Sequence, residues 1–180
     1  MRSIVPRPII LAASVLTVAC SDQVSSTPTS PTDIPLGPTQ AQRNATWLPL
    51  RGSFTATDQG VVVPPSLLVQ GSGDGTATQL GRFTMTYTAV ADLATPTATG
   101  TFTFTAASGD RLLVTFVGNA ADTVEPGVVS FTETLTIVGG TGRFVGATGT
   151  FTMRRIATID FAAGTSTSTG SFEGHINFNN

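Results

Sequence analysis

Arg82-Phe83-Thr84-Met85-Thr86-Tyr87-Thr88-Ala89 is the stretch that decides the fold class. Apolar side chains occupy the odd positions from Phe83 to Ala89, and threonines fill the even ones. In an extended strand, residues two apart share a face. This stretch therefore has one apolar face and one hydroxyl face, the pattern of a half-buried strand. Thr101-Phe102-Thr103-Phe104-Thr105 repeats it on even positions, and Ser130-Phe131-Thr132-Glu133-Thr134-Leu135-Thr136-Ile137 repeats it again. Threonine, with 32 copies, is the commonest polar residue, and its branched Cβ favours extended backbone. Helix formers are scarce beyond position 50, and lysine is absent from the whole chain.

About eight such runs follow one another: 47–57, 66–72, 76–90, 97–107, 110–121, 128–138, 144–160 and 167–178. Ser108-Gly109-Asp110 and Glu125-Pro126-Gly127 read as tight turns. Short links make sequential strands antiparallel neighbours. Eight strands with one apolar face each bury those faces best by closing into an up-and-down barrel, which also removes exposed edges. A two-sheet sandwich shares the alternation but needs longer crossing connections. Gly71-Ser72-Gly73-Asp74-Gly75 reads as a loop, because a calcium-binding glycine repeat would need stacked copies.

Nine basic and eleven acidic residues give a net charge of −2. Nucleic acid is excluded as a partner, since displacing counterions from phosphates needs clustered Lys and Arg. The first nineteen residues read as a signal peptide: Arg2 and Arg7 precede an apolar run, residues 9–19, too short to span a bilayer. Without that leader seven basic and eleven acidic residues remain, a balance of −4. The run ends at Cys20, the only cysteine, which has no partner for an internal disulfide. Leu16-Thr17-Val18-Ala19-Cys20 resembles a bacterial lipobox, with Thr17 where that pattern prefers leucine. The resemblance implies lipidation of Cys20 and a membrane-anchored lipoprotein of the bacterial cell envelope; the alternative is an ordinary secretory signal cleaved nearby. Residues 20–46, rich in Ser, Thr and Pro, read as a disordered tether. The barrel domain then spans 47–180.

Ile137-Val138-Gly139-Gly140-Thr141-Gly142-Arg143-Phe144-Val145-Gly146-Ala147-Thr148-Gly149 resembles the Gly-Gly-Thr-Gly-x-Phe-x-Gly-Ala-x-Gly stretch of the allene oxide cyclase and dirigent superfamily, in particular its bacterial barrel-like members. The resemblance covers roughly residues 75–178 and implies an eight-stranded antiparallel barrel. It also implies a cavity that holds an apolar guest, and self-association as in plant members. In physical terms the motif is a tight turn with positive φ followed by a strand that glycines allow to bend. No Gly-Lys-Ser/Thr follows, so it is not a phosphate loop.

Parity singles out two charges on apolar faces. Glu133 alternates with Phe131, Leu135 and Ile137, and Arg155 with Phe151, Met153 and Ala157. A lone buried charge costs several kcal/mol, so each needs a partner or water. Three readings stay open: a self-satisfied internal ion pair, a ligand-facing pair in a pocket, or a bulge that turns one residue outward. Tyr87 and Trp47 read as core or rim aromatics, and Tyr87 joins Glu133 and Arg155 as a ligand-binding candidate. Arg154 and Glu173 would oppose each other on the polar face if the last hairpin turns near Ala163-Gly164. His175 is the only histidine and reads as a surface residue, so neither a transition-metal set nor a Ser-His catalytic set is in view. The expectation is a small barrel without cofactor or catalytic set, binding a small apolar ligand or serving a structural role in the envelope. The alternative is a cyclase or isomerase in which Glu133 exchanges protons and Arg155 orients it.

Overall fold

The computed structural model describes residues 46–178. Eight antiparallel strands run in chain order: β1 Trp47–Val63, β2 Ser66–Ala77, β3 Gly81–Asp92, β4 Thr97–Ala106, β5 Arg111–Asp122, β6 Val128–Gly140, β7 Thr148–Asp160 and β8 Thr165–Asn177. Each pairs with the next, and β8 returns to pair with β1 from Trp47↔Asn177 to Gln59↔Thr165, which closes an up-and-down barrel. The sandwich alternative is thereby set aside. The signal peptide, Cys20 and the tether lie outside the described residues, apart from Thr46.

The threonine alternation becomes inside and outside. Phe83, Met85, Tyr87, Phe102, Phe104, Leu135 and Phe151 are buried, while Thr84, Thr86, Thr88, Thr101, Thr134 and Thr136 face outward. This inverts the arrangement of a membrane-spanning barrel, whose apolar band faces lipid. Phe104 meets Phe83 edge-on at 5.4 Å and lies 5.8 Å from Phe172, which is 5.2 Å from Phe151. Each fully buried ring contributes about 1.5–3 kcal/mol relative to exposure.

The two ends of the barrel differ. One is sealed: Leu50, Leu112 and Ile176 are fully buried there, and the first and last strands meet there through the Trp47↔Asn177 pair. The glycine motif completes the seal. β6 skips Val138 at a bulge opposite Leu113/Val114, and the chain then makes one 3-10 turn, Gly142–Phe144, which drives Phe144 wholly into the core. Gly142 sits at φ +57°, where a side chain is strained. The sequence reading has a strand running from 144; the strand starts only at Thr148, because the turn that plugs the end comes first.

The other end is a mouth, bounded by the β1–β2, β3–β4, β5–β6 and β7–β8 connections. Each of these links or its flanking strand carries an exposed apolar side chain: Val62, Leu93, Val124 and Phe161. Each of the last three also carries exposed acids, namely Asp92, Asp122 with Glu125, and Asp160. Asp92 and Asp160 brace their loops by accepting backbone N–H groups of Ala94 and of Ala162 and Ala163. Arg82, Arg111 and Arg143 stand at the sealed end.

The stretch 71–75 is not a loop. It lies inside β2, with Gly71, Gly73 and Gly75 in a row on the inner face. Local composition suggests a break, but tertiary packing needs bare backbone there: a Cβ on Gly75 would come within 2.8 Å of the Phe83 ring. Arg154 and Glu173 are diagonal rather than opposed, because Arg154 pairs with Ser171 and Glu173 with Thr152. Their 3.9 Å ion pair is two-thirds exposed and worth at most about 1 kcal/mol.

Candidate functional site

Between the aromatic core and the mouth, the inner face turns polar. β1 carries Asp58, β3 Tyr87, β6 Glu133, β7 Arg155 and β8 Ser166, and these five side chains form one cluster. Arg155 is its centre. Its Nη2 donates to Glu133 Oε1 at 3.2 Å, and its Nη1 lies 3.5 Å from Asp58 Oδ2. The three side chains are 8 % (Arg155), 2 % (Glu133) and 11 % (Asp58) exposed. The Tyr87 hydroxyl donates to Asp58 Oδ2 at 2.6 Å, and the Ser166 hydroxyl donates to Asp58 Oδ1 at 2.7 Å. The guanidinium also lies 4.3 Å above the Phe131 ring and 5.6 Å from that of Tyr87. An arginine between two carboxylates and over an aromatic face uses its planar fork and its weak hydration together.

Missing side chains make the cluster possible. Gly71 pairs with Asp58 on one side and Tyr87 on the other. A Cβ there would come within 2.3 Å of the Tyr87 ring, so only bare backbone lets the phenol reach across β2 to Asp58. Gly118 does the same for Glu133, whose Cγ would lie 2.6 Å from an added Cβ.

Donors are shared unequally. Asp58 receives two hydroxyls and faces Arg155, whereas Glu133 receives one hydrogen bond on Oε1 and none from the protein on its buried Oε2. Burial pushes the Glu133 carboxyl above its ordinary range; the charge and hydrogen bond of Arg155 pull it back without cancelling the effect. Burial, reinforced by the hydrogen bond to Asp58, also raises the Tyr87 phenol, so it stays a neutral donor across ordinary pH.

A cavity of about 490 Å³ opens from this cluster toward the mouth. Asp58, Glu133 and Arg155 line it together with apolar walls that include Leu67, Val69, Phe116, Phe131 and Phe161. That size lies within the usual range for small-molecule sites, about 300–1,000 Å³. Among the described residues, no group of three or more His, Cys, Asp or Glu side chains is placed to hold a metal ion.

Glu133 and Arg155 thus meet each other inside the barrel, and Tyr87 joins them through Asp58. Trp47 is at the sealed rim, 53 % exposed, and His175 is on the outer face. Asp58 and Ser166 escape the sequence reading, which ends the first strand at 57 and begins the last at 167. The available signal was parity: Phe54, Ala56 and Asp58 continue one inward series.

The chain matches no family model and no curated protein. Among solved structures it is similar to a pterocarpan synthase dirigent protein, with a TM-score of 0.47 and 17 % sequence identity over 81 % of this chain and 96 % of that chain.

Proposed function

We propose that this barrel is a binding module for a small, mostly apolar molecule that enters through the mouth and sets its polar group against Glu133. The cavity carries this reading: apolar walls end on a buried polar cluster with one carboxylate oxygen unsatisfied by the protein. Apolar surroundings with a few placed polar groups give affinity and orientation respectively. The apolar run at 9–19 followed by the lone Cys20 supports an exported chain held at a membrane by lipid, with the barrel on a tether.

A second reading has one observation in its favour. A buried carboxyl held above its normal range beside a cavity is suited to exchanging a proton with a guest, as in a cyclase or isomerase. Binding is the simpler reading, because Arg155 already engages both carboxylates.

The test is titration with N-phenyl-1-naphthylamine, a neutral apolar fluorophore. Saturable one-to-one enhancement is expected, and Ala91→Trp, which fills the cavity from β3, is expected to abolish it. Absence of saturable binding by the wild type, or full binding by a folded Ala91→Trp variant, overturns the proposal.

A further inference from the structure

The cavity is acidic in a way that selects among apolar guests. Besides Glu133 and Asp58, Asp92 and Asp122 line it toward the mouth, and Arg155 is the single basic side chain among the described lining residues. Arg155 is flanked by two carboxylates within 3.5 Å and its plane is covered by the Phe131 ring, while its buried Nε has no partner within the protein. With both inner carboxylates ionised, the buried cluster carries one net negative charge. An anionic guest reaching for Arg155 would have to settle beside Asp58 and Glu133, and like charges in a poorly solvated site repel strongly. A guest bearing a cationic N–H donor finds the opposite. Glu133 lines the cavity, and its Oε2 lies just beneath that wall, buried and receiving no hydrogen bond from the protein. Phe116 stands in the same wall and gives the apolar body of such a guest a surface to pack on.

We infer that the barrel takes amphiphilic amines: molecules with an apolar body and a protonated primary or secondary amine, whose N–H donates to Glu133 Oε2. This inference rests on the pocket reading above and names its ligand class. The amine cation supplies the counter-charge that Arg155, shared with Asp58, supplies only in part. Burial raises the Glu133 carboxyl, and a bound cation opposes that effect by favouring its ionised form. The amine stays protonated, and no covalent bond changes.

The experiment compares three probes of one chain length on the full-length protein by calorimetry near neutral pH: octylamine, octanol and octanoate. Octylamine is expected to bind at least tenfold more tightly than octanol, and octanoate more weakly than either. Glu133→Gln is expected to bring octylamine down to the affinity of octanol. Equal affinities for all three probes, or a preference for octanoate, overturn the amine assignment while leaving a binding pocket. Failure of all three to bind overturns the pocket reading and the inference with it. The comparison among probes is made on the wild type, so it decides the matter even if the variant does not fold.

Discussion

Substituting Gly71 with alanine tests whether the bare backbone of β2 is what assembles the polar cluster. The added Cβ would lie 2.3 Å from Tyr87 Cζ and 2.5 Å from its hydroxyl. Either the ring moves or the strand does. Moving the ring breaks the 2.6 Å hydrogen bond to Asp58, a bond to a carboxylate worth about 1.5–3 kcal/mol. Overpacking adds about 1–3 kcal/mol. Against this stands a gain of about 0.5–1 kcal/mol from replacing glycine within a strand. The net is a loss of about 2–5 kcal/mol, or roughly 8–20 °C in Tm for a domain of this size. Thermal and urea unfolding followed by circular dichroism read it directly. Gly60→Ala is the control, since its Cβ meets only the flexible end of Leu67, at 3.0 Å, and it should stay within about 1 kcal/mol of wild type. In a Tyr87→Leu background the cost of Gly71→Ala should fall below about 1 kcal/mol, because the two sites share one contact. If Gly71→Ala is as benign as Gly60→Ala, or costs the same with and without Tyr87, bare backbone at position 71 is not what lets Tyr87 reach Asp58.

Arg155→Met leaves Asp58 and Glu133 facing each other without their shared cation. Urea unfolding at neutral pH should show a loss of about 3–5 kcal/mol, shrinking in acid as Glu133, whose proton affinity burial raises, takes up a proton. Glu133→Gln reverses the sign. The proton affinity of Glu133 is raised on folding, so its stabilising contribution is present below the unfolded value and lost as pH rises through the folded one. The urea midpoints of variant and wild type should therefore converge near about pH 4 and diverge toward about pH 8, with the variant the more stable at the upper end; a wild type that gains on the variant as pH rises contradicts the burial argument.

The barrel and part of its site were legible in the sequence because parity carries them. Phe83, Met85 and Tyr87 betray a buried face by alternation alone, and Glu133 and Arg155 stand out as charges on such faces. Their contact depends on register, which alternation does not specify: Glu133 pairs with Met153 and Arg155 with Phe131, so the two charges meet on a diagonal. Asp58 was hidden because apolar alternation lapses after Ala56, where Asp58 and Gly60 take inward places. The glycine row of β2 was hidden for the related reason that glycine reads as a break when judged locally. Its role is set by rings on β3 that only the folded barrel brings across. Which end is open follows from turn residues, Phe144 folding inward at one pole while Leu93, Val124 and Phe161 stay outside at the other.

Trp47 pairing with Asn177 puts head and tail of the barrel side by side at the plugged pole. Anything joined directly to the start of the first strand or the end of the last therefore sits at the base of the cup, away from its rim. A reporter fused directly before Trp47 would leave the rim clear to sample what diffuses past.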